Sequence, residues 1–223
     1  MSRLAKLSLV LPVIGLMACT GSLFRSKAAP PTIYVLTAAA GSPAAGSPAA
    51  VSPDAGAPTA ETPVDLAVLK PRVRPGLETD RIAILYPDRR LDYFADARWS
   101  GPLGEVLQDL AVQEFHSHAR LRNVSGDTSV FASAYWLEIE VTDFQAEYTS
   151  AAAAPMVHVR ILARLGGSND RRILGQFAAN AQQPATENRL TAIVDAYARA
   201  ADAALAEIVA HATDTLAKSS ETR

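Results

Sequence analysis

The chain has 223 residues with 21 Lys and Arg against 23 Asp and Glu, a length for one domain with appendages or two small ones. A formal charge of −2 gives no global basic field and argues against nucleic acid as a partner. A single cysteine excludes an internal disulfide framework and any site built from several thiolates, so its position is the first thing to establish.

That cysteine closes an export signal. Residues 1–18 begin with the basic Arg3 and Lys6 and continue in an apolar run from Leu7 to Met17, interrupted by Ser8, Pro12 and Gly15. The run is too short to cross about 30 Å of hydrocarbon as a helix, and Pro12 disfavours helix within it. A basic start, a short apolar core and small residues at the cut describe a signal peptide. Leu16-Met17-Ala18-Cys19 resembles the bacterial lipobox, which implies a diacylglycerol on the Cys19 sulfur and an N-acyl chain after cleavage. No other cofactor is expected. Several acyl chains at about 0.8 kcal/mol per buried methylene exceed what stable anchoring requires. Cleavage removes Arg3 and Lys6 and leaves 19 basic against 23 acidic residues, a mature charge of −4. Thr20 rather than Asp after the cysteine resembles outer-membrane sorting, which places the chain on the periplasmic face of that membrane.

Residues 19–31 read as a tether. Thr32-Ile33-Tyr34-Val35-Leu36 is a β-branched and aromatic run that predicts a strand. Residues 39–63 then divide into AAGSP, AAGSP, AAVSP, DAGAP and TAETP, with Pro43, Pro48, Pro53, Pro58 and Pro63 at constant spacing. Proline at every fifth position removes backbone donors and disfavours helix before each ring, so the tract predicts a disordered spacer. Because it follows a strand rather than Cys19, it reads as a loop inserted in the folded domain. Loop entropy grows only logarithmically, so its removal is expected to leave folding nearly intact.

From Val64 onward the composition is globular. Asp65–Leu69 and Ile82–Tyr86 predict strands separated by a turn at Pro75-Gly76-Leu77, and Arg90–Phe94 predicts a short alternating strand. Ser100, with Pro102 in the first turn and Glu105 near the start, marks a helix N-terminus. Leu103, Val106, Leu107, Leu110 and Phe115 give that helix one apolar face. The stretches Pro75-Gly76-Leu77-Glu78-Thr79-Asp80-Arg81-Ile82, Leu91-Asp92-Tyr93-Phe94-Ala95-Asp96-Ala97-Arg98-Trp99 and Pro102-Leu103 resemble the ABC-type transport auxiliary lipoprotein family. The resemblance implies an outer-membrane lipoprotein that partners an MCE-domain protein and, through it, an ABC permease and ATPase.

In the second half, Leu137, Ile139 and Val141 alternate with Glu138, Glu140 and Thr142. Val157, Val159, Ile161, Ala163 and Leu165 alternate with His158, Arg160, Leu162 and Arg164. Paired, these strands put aliphatics on one face and set glutamates against arginines on the other. Gly166–Asp170 predicts a hairpin turn into a strand over Arg172–Ala181, and Thr186 or Asn188 can cap a last helix. That helix carries an apolar stripe of Leu190, Ile193, Val194, Tyr197, Ala201, Leu205, Ile208 and Leu216. The expected fold is α+β: an antiparallel or mixed sheet with two long helices on one face. The domain spans 32–38 and 64–218, with a flexible tail at 219–223.

Chemistry is sparse. His116 and His118 point to different faces of one helix, and His158 and His211 lie apart from them, so no metal site is expected. There is no H-E-x-x-H, no G-x-S-x-G and no G-x-x-x-x-G-K-[ST], which leaves a hydrolase as the weakest reading and any ATPase to another subunit. Arg98 and Trp99, just before the first helix, are candidate partner contacts. The plainer reading packs Trp99 between helix and sheet and pairs Arg98 with Asp96 or Asp92. The doublets Arg89-Arg90 and Arg171-Arg172 read as solvated loop tips.

The expected function is therefore a non-enzymatic accessory lipoprotein of envelope lipid transport, binding the MCE component and possible lipid, with a homo-oligomer as one form of assembly. The alternative is a structural lipoprotein of another outer-membrane or peptidoglycan-linked assembly. Cys19→Ser is expected to abolish incorporation of radiolabelled palmitate and to release the chain from the membrane fraction; retention of label in the variant would contradict the lipobox.

Overall fold

The structure, a computed structural model, describes residues 30–37, 62–119, 121–126, 133–150, 152–170 and 172–221. The segment 1–18 expected to be a signal, Cys19 and nearly all of the stretch 19–31 expected to be a tether lie outside the described residues, as does the pentapeptide tract up to residue 61.

The organising element is a long strand, β7 (Tyr135–Glu147), which the alternation from Leu137 to Thr142 only begins to outline. Along one edge it pairs antiparallel with β8 (Met156–Gly167), and β8 in turn pairs with β9 (Ile173–Pro184). Along the other edge lie three collinear segments, all parallel to it. They are β2 (Thr62–Val68) against Tyr135–Leu137, β3 (Arg72–Val73) against Glu140–Val141, and β4 (Arg81–Leu85) against Ala146–Glu147. Residues 62–85 thus form one interrupted strand. Beyond β4 come β5 (Leu91–Trp99) and then β1 (Thr32–Tyr34); beyond β2 comes β6 (Leu121–Gly126).

Helices α1 (Leu103–His118) and α2 (Leu190–Glu221) cover one face of this mixed sheet, which is the α+β arrangement the patterns predict. Leu103, Leu107, Leu110 and Phe115 of α1 join Ile193, Tyr197, Leu205 and Ile208 of α2 in the core, over Leu137, Ile139, Val141, Val159 and Ile161 of the sheet. Helix α2 extends to Glu221, where Ser219 and Ser220 hydroxyls bond back to the carbonyls of Thr215 and Ala217, so the tail expected from 219 is helical to that point.

Several local expectations are corrected. Ser100 does not cap α1. The N-cap is Pro102, whose carbonyl takes the amides of Glu105 and Val106, and the Leu103 amide finds the Thr79 carbonyl at 3.1 Å. Strand β5 runs to Trp99, well past Phe94. It pairs with β4 through Leu91–Tyr93 and with β1 through Ala97–Trp99, and the irregularity between contains Asp96 at φ 54°. Thr62 and Pro63, assigned above to the spacer, belong to β2.

The register also corrects what the spacer can tolerate. β1 leaves the sheet beside Trp99, where β5 gives way to α1, and β2 enters beside Leu121, where α1 gives way to β6. The connection between β1 and β2 therefore has to span what α1 spans. Sixteen helical residues cover about 24 Å, which about eight extended residues can match. Removing all of 39–63 leaves too little chain.

Replacing 38–61 with a ten-residue Gly/Ser linker is expected to change stability by less than about 1 kcal/mol. Deleting 39–63 outright should detach β1 and the buried Leu36, at about 2 kcal/mol or more. Urea midpoints of the two variants check this, and a neutral full deletion would contradict the strand order.

Candidate functional site

The face of the sheet away from the helices has no layer over it among the described residues, and its charge pattern follows from strand alternation. Core-facing positions on β7 are 135, 137, 139 and 141, then 144 and 146. The break in alternation is a bulge between Val141 and Asp143. An extra residue, Thr142, lets Asp143 join Glu138 and Glu140 on the open face and sends Phe144 into the core. Without it the carboxylate would be buried and the ring exposed.

The resulting acidic row lies between two basic ones. Arg72 from β3 reaches Glu138 at 3.0 Å and Glu140 at 3.9 Å, and Arg74 reaches Asp143 at 3.7 Å. From β8, Arg164 lies 3.6 Å from Glu138, Arg160 3.6 Å from Asp143, and His158 3.6 Å from Glu147. The cross-strand match of glutamates and arginines expected from the sequence is present, and the third row, from β3, is an addition that periodicity did not reveal. Such exposed pairs contribute a few tenths of a kcal/mol each, so their larger effect is to present an ordered pattern of charge.

At the C-terminal end of β7 the open face deepens into a cleft of about 500 Å³. Asp143, Gln145 and Glu147 form its floor, and Pro75 and Leu77 one wall. The β4–β5 hairpin supplies the other, with Tyr86, Pro87, Arg89 and Leu91. The buried Gln145 side-chain amide donates to Asp143 at 3.3 Å and to Glu147 at 3.0 Å, which holds the two carboxylates as a pair. Tyr86 and Tyr148 stack with centroids 5.9 Å apart, and partial burial beside Tyr86 raises the Tyr148 hydroxyl above its ordinary pKa.

The motif residues 75–82 and 91–99 build the wall of this cleft. Gly76 has φ 91°, a backbone conformation that favours glycine, and a Cβ there would crowd the Leu91 side chain at 3.0 Å. Its carbonyl accepts the Tyr93 hydroxyl at 2.6 Å, and Arg81 lies over the Tyr93 ring at 4.0 Å. Arg98 donates to both oxygens of Asp80 at 2.7 and 2.8 Å, while the Trp99 amide donates to the Asp80 carbonyl at 2.7 Å. The motif is thus a clamp that fixes the 74–80 excursion onto β5 and the start of α1.

Of the predicted site residues, Cys19 lies outside the described residues. Arg98 pairs with Asp80 rather than with Asp96 or Asp92. Trp99 is 2% exposed, edge-on to Phe144 at 6.0 Å and to Tyr197 at 5.2 Å, so its ring offers no surface to a partner. The plainer reading of Trp99 is the one the structure supports. Arg89 was read only as a loop tip, yet it lines the cleft; its φ of 68° depends on hairpin geometry that no spacing reports. Among the described residues no three His, Cys, Asp or Glu side chains gather as a metal site, and no helix is long and apolar enough to cross a membrane.

The chain matches the sequence model of the ABC-type transport auxiliary lipoprotein component over residues 47–209. It belongs to that family. Membership carries association with an ABC-type transporter and a membrane-anchored place in the cell envelope. The fold is shared with a crystal structure from Xanthomonas campestris, at 23% identity and TM-score 0.69, covering 85% of this chain and 99% of that one. A Chlamydia trachomatis protein shares it at 12% identity and TM-score 0.50, with 70% and 99% covered. No curated protein matches the chain.

The aromatic cluster yields a pH dependence. The Tyr197 hydroxyl donates to the Ala83 carbonyl at 2.5 Å, and complete burial holds its pKa well above the ordinary value near 10, partly opposed by a backbone group of Ala146. The fold binds this proton more tightly than the unfolded chain does. Its contribution is therefore complete below about pH 10 and is lost as pH rises toward the folded value. Tyr197→Phe should lower the plateau by about 1–3 kcal/mol, since the Ala83 carbonyl loses its donor, and flatten the alkaline fall. Denaturant midpoints between pH 8 and 11 measure both.

Proposed function

We propose that the chain is a non-enzymatic accessory lipoprotein of an MCE-type lipid transport system. Acylated Cys19 holds it at the periplasmic face of the outer membrane, and the open sheet face receives the MCE-domain component. The permease and ATPase of that system supply the energy. The observation that carries this reading beyond the family is the sheet face itself, which no other layer covers among the described residues. Three rows of alternating charge on adjacent strands form a rigid, patterned surface suited to steering and registering a protein partner. Family membership supports the transporter, and the lipobox-like Leu16–Cys19 supports the anchor.

Detergent extraction followed by affinity capture of the lipoprotein is expected to recover an MCE-domain protein. Reversing two of the four arginines on that face, Arg72→Glu with Arg164→Glu, should reduce that recovery about tenfold while the melting temperature stays within a few degrees, because the residues are surface-exposed. Repeated capture of unrelated envelope proteins in place of an MCE protein would favour the alternative, a structural lipoprotein of another assembly.

A further inference from the structure

We propose that the cleft at the end of β7 binds a phosphoethanolamine group, with its ammonium on the Asp143–Glu147 pair and its phosphate on Arg89 and Arg74. The inference concerns a ligand rather than the protein partner, and it stands or falls independently of the MCE reading.

The charges in the cleft are layered. Asp143 and Glu147 on the floor have side chains 23% and 36% exposed, whereas Arg74 at the rim is 64% exposed and Arg89 is exposed on the hairpin tip. An anion alone would meet the two carboxylates, and a cation alone would pass two guanidinium groups, so the arrangement selects a molecule carrying both charges. The carboxylates have capacity to spare. Their cationic neighbours stand at 3.6–3.7 Å, beyond a direct hydrogen bond; Asp143 accepts one bond on each oxygen, from the Gln145 amide at 3.3 Å and the Thr142 hydroxyl at 3.2 Å, and Glu147 accepts one, from Gln145 at 3.0 Å, so each carboxylate keeps free lone pairs. A primary ammonium brings three donors to that pair.

Arg89 is the second observation. It closes the turn Pro87-Asp88-Arg89, with its amide on the Tyr86 carbonyl at 2.9 Å and φ of 68°, a position where glycine is the unstrained choice. Its guanidinium has no hydrogen-bond or ion-pair partner among the described residues. Holding an arginine there costs about 1–2 kcal/mol of backbone energy, and among the described residues no hydrogen bond or ion pair of its side chain offsets it.

The apolar walls provide for the carbon skeleton. Leu77, Leu85 and Pro87 line the cleft, and Leu91, 38% exposed, extends it outward as an apolar exit. The volume of about 500 Å³ is that of a small-molecule site. Choline should be rejected: Arg90 already covers one face of Tyr86 at 4.5 Å, so no aromatic cage is open to a quaternary ammonium, which has no N–H to donate.

The test uses the purified full-length protein in a non-ionic detergent, titrated with glycerophosphoethanolamine, glycerophosphocholine or inorganic phosphate and followed by calorimetry or amide chemical shifts. Saturable binding of glycerophosphoethanolamine is expected, at least about tenfold tighter than the choline ester, with no saturable binding of phosphate alone. A short-chain phosphatidylethanolamine binding tighter than the glycerol ester would mark a membrane lipid as the source; equal affinities would mark the free ester. Arg89→Gly is the informative variant, because glycine suits the backbone there, so the melting temperature should hold or rise while affinity falls about tenfold. Asp143→Asn should weaken the ethanolamine ester to a similar degree. The proposal is overturned by equal binding of the choline ester, by no binding at all, or by an Arg89→Gly protein with unchanged affinity.

Discussion

Everything in this domain depends on the two edges of β7 being satisfied in different ways. On one side a regular antiparallel hairpin with β8 continues to β9; on the other, a strand interrupted twice between Thr62 and Leu85 has to remain parallel to β7 along most of its length. Parallel pairing offers no tight turn to hold its register. The clamp of Asp80 with Arg98 and of Tyr93 with the Gly76 carbonyl supplies that control, since it fixes the second interruption to β5 and to the first turn of α1. Both the closure of the core at Trp99 and the wall of the cleft follow from it.

Tyr197 completes the arrangement from the helix side. Its ring packs against Trp99 and Phe144 and its hydroxyl ends on the Ala83 carbonyl, so α2 is registered to β4, β5 and β7 at a single point. A buried phenol with a satisfied hydroxyl fixes orientation in a way that an aliphatic residue of similar size does not. The bulge at Thr142 serves the same junction: one inserted residue places Phe144 in this cluster and Asp143 in the cleft.

Much of this was legible in the residues. Alternation at Leu137–Thr142 and Val157–Leu165 fixed the two central strands, their faces and their matched charges, and helical spacing fixed which sides of α1 and α2 are buried. The motif 75–82 with 91–99 resembles the family, and its polar side chains Tyr93, Asp80 and Arg98 hold the clamp together. What escaped was set by long-range geometry. No local pattern announces that Asp65–Leu69 and Ile82–Leu85 lie end to end on one partner, or that alternation stops at Thr142. Arg89 looked like any charged residue in a turn, because its significance lies in a backbone angle and in what faces it. The absence of a side-chain cap on α1 has a similar cause: the Thr79 carbonyl, supplied by the clamp, takes the Leu103 amide.

The position of β1 has a mechanical meaning. It is held to the sheet by three registered residues beside β5, and it is the first element among the described residues. Tension applied through the chain ahead of it is therefore taken up by a short edge strand before it reaches β2 and the core. Shearing β1 away would release the chain ahead of β2 while the rest of the sheet stays folded. The domain thus carries a weak edge on its N-terminal side, which yields under load before the core does.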